Sequence, residues 1–145
     1  MSEIPERFHA MQLERSGKPL RKITRSISEL HSDEILAETL ACGVCRTDLH
    51  IIEGVWKHIQ DPDDKLLPCV MGHENAGWIE EVGKDVTNFK KGDQVILHPL
   101  ISGTDGTCLS CRRGLDQHAE EGAFPGLNIK EGGYAELLKT SVRNL

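Results

Sequence analysis

The sequence predicts a mainly β protein, a small antiparallel barrel with a few short helices. Many short alternating runs are punctuated by glycine, 14 of them in 145 residues, as in small all-β domains. Only one segment has clear helical spacing. The length fits one domain, residues 1–145, with enough chain to bury a real core. No internal repeat or low-complexity tract is present.

In order, Phe8 to Leu13 alternates weakly and reads as a strand, followed by a turn at Ser16-Gly17-Lys18-Pro19. Leu20 to Leu30 mixes basic, polar and apolar residues and reads as extended. Glu34 to Ala41 is the cleaner strand and delivers the chain to Cys42. Cys45 to Glu53 reads as a short helix ended by Gly54, with Thr47 neighbouring Ile51 and Asp48 neighbouring Ile52. Val55 to Pro68 reads as a polar loop in which Trp56 is the one large apolar group. A strand from Asn75 to Val82 precedes turns at Gly83-Lys84-Asp85 and Lys91-Gly92-Asp93. Further strands run from Gln94 to His98 and from Gly132 to Lys139. Between them, Ser102 to Gly126 is a long glycine-rich loop carrying Cys108 and Cys111; a loop this long inside a compact domain is functional or pinned.

Composition narrows the partners. Charged residues make up 28% and apolar ones 38%, as in ordinary soluble proteins. A formal charge of −6 argues against nucleic acid as a partner. No apolar run is long enough for a membrane span, and Met1 to Arg15 lack the apolar core of a signal peptide. Five cysteines, an odd number, do not read as a disulfide framework; they fit a reduced cytoplasm and metal or catalytic thiols.

The chemistry concentrates in Cys42-Gly-Val-Cys45-Arg-Thr-Asp-Leu-His50 and in Gly72-His73-Glu74. Zinc takes thiolate sulfur, imidazole nitrogen and carboxylate oxygen, and Cys45, His73 and Glu74 supply one of each. Their separation in sequence points to a site assembled by a scaffold, as catalytic zinc usually is. Cys45 at the start of a helix also sits where the helix dipole favours a thiolate.

These two segments, together with Gly92-Asp93-Gln-Val95 and Gly132-Gly133-Tyr134-Ala135-Glu136, resemble the zinc-dependent alcohol dehydrogenases of the medium-chain dehydrogenase/reductase family. The resemblance covers nearly the whole chain. It sharpens the expected fold to the irregular GroES-like barrel of that family's first domain. Full members are about twice as long and add a nucleotide-binding domain, so the chain reads as the catalytic half without its cofactor half.

The resemblance also implies roles. Cys45 and His73 match zinc ligands, and Glu74 matches the acidic residue beside the histidine that can approach the metal. The family's third ligand, a Cys or Asp later in sequence, has no clear counterpart. Asp48 matches the carboxylate that supports the ligand histidine. Thr47 and His50 match a proton relay, for which a hydroxyl and a group titrating near neutrality are suited. Arg46 matches a basic residue that contacts cofactor phosphates. Trp56 reads either as a wall of the substrate pocket or as ordinary core. Cys42 and Cys69 read as buried small apolar residues, and His9, His31, His58 and His98 receive no role.

Many relatives in that family carry a structural zinc on a four-cysteine loop. The register here gives Asp105, Cys108, Cys111 and Ala119, and alanine cannot ligate. Either His118, one residue earlier, completes a four-ligand site or the loop is metal-free with two free thiols. The implied reaction is reversible hydride transfer between an alcohol and NAD or NADP, with zinc as Lewis acid. The implied partners are a small-molecule alcohol, aldehyde or ketone and, where a nucleotide-binding domain is supplied, the nicotinamide cofactor; the family usually forms a homo-oligomer through that other domain, which leaves the oligomeric state of this chain open. The competing readings are a zinc-binding module or degenerate fragment without independent activity, and a GroES-like assembly protein.

Overall fold

A computed structural model describes residues 4–55, 57–63, 65–100, 108–119, 122, 126 and 131–145. Seven strands are described: β1 Arg7–Leu13, β2 Arg21–Ser26, β3 Glu34–Gly43, β4 Cys69–Val70, β5 Glu74–Val82, β6 Gln94–Leu97 and β7 Leu137–Ser141. Short helices are α1 Arg46–Glu53, α2 Lys57–Gln60 and α3 Leu109–Arg112, with 3-10 turns at Asp116–His118 and Val142–Asn144. The mainly β architecture with few helices is the one the sequence led us to expect. The strands form two open antiparallel sheets, ordered β2-β1-β4 and β6-β5-β3-β7. The wrap is an irregular one, bridged between Ala10 and Ala135, and among the described residues no cylinder closes.

Period-two patterning sets the register. In β5, Asn75, Gly77 and Ile79 face inward while Glu74 and Trp78 face out; in β6, Val95 and Leu97 are buried and Gln94 and Ile96 exposed. A one-residue slip would invert every one of these positions. The long strand β3 pairs with β5 and β7 and carries irregularities between Leu36 and Ala37 and between Thr39 and Ala41, which bend it on its way to Gly43.

Two cores result. Ile35, Ala37, Ile79, Val95, Leu97 and Leu138 fill the larger sheet's inner face. Leu13, Ile51, Leu66, Cys69 and Met71 form the second, under α1. Burying Ile35 and Ile79 completely stabilises the fold by about 2–3 kcal/mol each.

Some boundaries differ from the sequence reading. Within the expected polar loop Val55–Pro68, residues Lys57–Gln60 wind into α2, closed by Asp61 N–H donating to the Lys57 carbonyl at 2.9 Å; one turn is too short to show a period. Strand β7 begins at Leu137 rather than Gly132. Gly132 and Gly133 instead lie so close to Met71 and to the Asn75 side chain that no Cβ would fit. Inside the expected loop Ser102–Gly126, the described part holds α3 and a 3-10 turn. Trp56 lies outside the described residues. No helix among the described residues is long and apolar enough to cross a membrane.

Candidate metal centre

Helix α1 and the start of β5 build the centre. Cys45 is the N-cap of α1, in extended conformation, and its sulfur accepts the Thr47 N–H at 3.2 Å. Asp48, three residues on, returns the bond: its Oδ2 accepts the Cys45 N–H at 2.9 Å. This reciprocal capping box satisfies two of the helix's otherwise unpaired donors. The helix stops at Gly54, whose φ of 76° is left-handed and whose N–H caps the carbonyls of His50 and Ile51. Asp48 and Ile51 form the buried face, so the packing of Ile51 on the second core fixes the rotation that points Asp48 inward.

His73 stands between Gly72 and β5. Its Nε2 lies 3.3 Å from Cys45 Sγ, and its Nδ1 lies 3.6 Å from Asp48 Oδ1. That second approach is within ion-pair range but too long for a hydrogen bond, so both buried atoms lack a hydrogen-bond partner. Asp48 is 0% exposed and His73 7%. Glu74 is exposed, and its carboxylate lies over Gly43, where a Cβ would come within 2.2 Å of Oε2. Glycine at 43 therefore leaves the space that the carboxylate occupies.

Among the described residues, Cys45, His73 and Glu74 bring a sulfur, a nitrogen and an oxygen within 4.8 Å of one another. Tetrahedral zinc with sulfur at about 2.3 Å and nitrogen at about 2.0 Å holds the two roughly 3.5 Å apart. The observed 3.3 Å fits, as does the mixed donor set.

The electrostatics point the same way. Hydrogen bonding from the Thr47 side chain, ahead of smaller contributions from neighbouring backbone N–H groups and His73, pulls the Cys45 thiol below its ordinary value although burial opposes. The carboxylate of Asp48 beside it raises the His73 imidazole against the effect of burial. Burial by itself would push the Asp48 carboxyl up, but the adjacent His73 imidazole and the bond from the Cys45 N–H outweigh it and hold Asp48 low. Each partner therefore favours the charged form of the other, and a cation at Nε2 could take the place of the imidazole proton. Cys42 behaves differently: burial pushes its thiol up to about 11, so it stays neutral, and it is half-buried where the sequence reading expected a buried residue. Cys69 is buried, as expected.

Of the remaining sequence candidates, Thr47 sits at the thiol. His50 lies one turn along α1, its side chain 21% exposed, with Nδ1 4.0 Å from Glu53 Oε2. Arg46 opens the helix and is exposed. At the second loop, Cys108 caps α3 and accepts the Cys111 N–H at 3.4 Å. Cys108, Cys111 and His118 do not gather as closely as the first three do, and Asp105 lies outside the described residues. Sequence reasoning missed Tyr134, whose hydroxyl donates to the Gly43 carbonyl at 3.4 Å. The signal was its place after Gly132-Gly133 as the chain's only tyrosine.

Comparison with known proteins supplies relatives. The family described as the alcohol dehydrogenase GroES-like domain is matched over residues 31–145. The NAD-dependent alcohol dehydrogenase of Sulfolobus acidocaldarius is 36% identical over 88% of this chain and 36% of its own length. An alcohol dehydrogenase of Geobacillus stearothermophilus is 36% identical over 91% of this chain and 37% of its own. The crystal structure of the alcohol dehydrogenase from the archaeon Aeropyrum pernix superposes with a TM-score of 0.83 at 44% identity, covering 94% of this chain and 38% of that one. The chain thus spans a little over a third of the length of these relatives.

Proposed function

The chain belongs to the alcohol dehydrogenase GroES-like domain family, and from that premise we propose that it supplies the metal-holding and proton-handling part of an alcohol dehydrogenase. The reaction is reversible hydride transfer between an alcohol and NAD or NADP. The observation that carries the proposal is the convergence of Cys45, His73 and Glu74 in front of the buried Asp48.

Cys45, His73 and Glu74 would hold zinc. Bound there, zinc supplies Lewis-acid polarisation of the substrate oxygen. The chain's own residues do the rest. Asp48 keeps the proton of a neutral His73 on Nδ1, leaving Nε2 free as a donor to the cation. Thr47 offers a hydroxyl beside the thiol, where it can accept the alcohol's proton as it passes its own proton onward. His50, nearer the surface and beside Glu53, suits the handover to solvent. Arg46, exposed at the helix start, suits the cofactor's phosphates. The relatives named above are alcohol dehydrogenases by name, which supports a small-molecule alcohol, aldehyde or ketone as the substrate.

Metal content tests this reading. Zinc per chain is measured on purified protein and on Cys45→Ala. We expect the unaltered chain to hold a zinc that the variant loses. An unaltered chain that takes up no zinc, or a Cys45→Ala variant that retains all of it, refutes the assignment.

A further inference from the structure

Tyr134 stands beside the centre without a task in the scheme above. Its main-chain N–H donates to the Met71 carbonyl at 2.8 Å, and its hydroxyl donates to the Gly43 carbonyl at 3.4 Å. Met71 lies two residues before His73, and Gly43 two residues before Cys45. One residue therefore bonds to both ligand-bearing segments at matching distance from the ligands. Gly133 N–H adds a bond to the Gly72 carbonyl at 2.8 Å, so the His73 side is held twice. The Tyr134 ring packs on the core of Leu13, Ile51, Leu66, Cys69 and Met71. It also covers Gly72 so closely that a Cβ there would lie 2.6 Å from Cδ1.

We propose that Tyr134 is a positioning residue that sets the separation of Cys45 from His73, its main chain holding one segment and its hydroxyl the other. The β3–β5 ladder already joins the two segments as far as the pair Gly43–Glu74. Beyond it the chain passes through the exposed Val44 before reaching the thiol, and the hydroxyl pins the last ladder residue before that step. The hydroxyl keeps its proton, because burial first and then the negative charge of Asp48 push its pKa up. It is thus a donor at any working pH. The inference rests on the metal reading above.

The variant Tyr134→Phe keeps the ring and removes only the hydroxyl, whereas Tyr134→Leu removes both. The measurements are zinc affinity by competition with a chromophoric chelator, the cobalt–thiolate charge-transfer band of the cobalt-loaded chain, and the melting temperature without metal. Loss of one long hydrogen bond predicts about a threefold to tenfold weaker zinc affinity in Tyr134→Phe. It also predicts an altered cobalt band and a metal-free melting temperature no more than about 5 °C below that of the unaltered chain. Tyr134→Leu should lose melting temperature as well. An unchanged affinity and band in Tyr134→Phe overturns the inference while leaving the metal reading standing. So does a metal-free destabilisation large enough to account for the whole affinity loss. If the unaltered chain shows no cobalt–thiolate band, the metal reading fails and the inference with it.

Discussion

Replacing Asp48 by asparagine should cripple metal binding far more than folding. Asparagine has the same shape, and its side-chain oxygen can keep the 2.9 Å bond from the Cys45 N–H. In that orientation the amide NH2 faces His73 Nδ1, 3.6 Å away across the buried contact. Two donors cannot face each other, so His73 must carry its proton on Nε2, the nitrogen 3.3 Å from Cys45 Sγ. A protonated Nε2 cannot ligate. Losing such support for a ligand histidine typically costs about 10–100-fold in metal affinity, or roughly 1.4–2.7 kcal/mol. Folding loses less, because one charge-assisted bond becomes neutral, about 1 kcal/mol, or about 2–4 °C in melting temperature. Chelator competition gives the zinc affinity and thermal melts in chelator give the stability. An affinity within twofold of the unaltered chain would refute the tautomer argument.

Two further outcomes are expected. Gly72→Ala should destabilise the fold by about 2–5 kcal/mol in urea titration, combining left-handed strain with overpacking. Its φ is 97°, and the added Cβ would sit 2.8 Å from both Cys42 Sγ and the Tyr134 main-chain nitrogen. A loss below about 1 kcal/mol would contradict that. In the metal-free chain, the stability advantage over Asp48→Asn should vary with pH. His73 is raised by the neighbouring Asp48 against the effect of burial, so its contribution is complete below about pH 6.5 and fades as pH rises through its folded value. Asp48 is held low by His73 and Cys45 although burial pulls it up, so its contribution exists above about pH 3.9 and fades as pH falls through its folded value. Melting-temperature differences should peak between roughly pH 4 and 6.5; equal differences at pH 5 and pH 8 would be inconsistent with the coupling.

Much of this architecture was legible in the residues. The alternation in Glu34 to Ala41 and Asn75 to Val82 marked β3 and β5, since a sheet with one buried face must alternate. Gly54 marked the end of α1 because only a residue at ease in the left-handed region can close the helix there. Cys45, His73 and Glu74 were legible as ligand types, and the structure adds their convergence. What the sequence hid was non-local. The pairing of β4 with β1 rests on two residues, Cys69 and Val70, too few to show a period. Tyr134 could not be given a role, because its link to Gly43 spans 91 positions and leaves no local pattern. The same holds for Gly43, whose importance is the room it leaves for a carboxylate of another strand.

The cap of α1 carries a cost. Sulfur is a poor acceptor, and serine at position 45 would close the same box with a better one. Oxygen caps improve on weak ones by about 0.5–1 kcal/mol, so selection for thermal robustness alone would drive position 45 toward serine. If the proposed metal reading holds, a chain that keeps cysteine there accepts a weaker helix start in exchange for a soft, polarisable ligand. On that reading stability and chemistry pull in opposite directions at position 45, and a screen for heat resistance would tend to erase the sulfur that the proposed site uses.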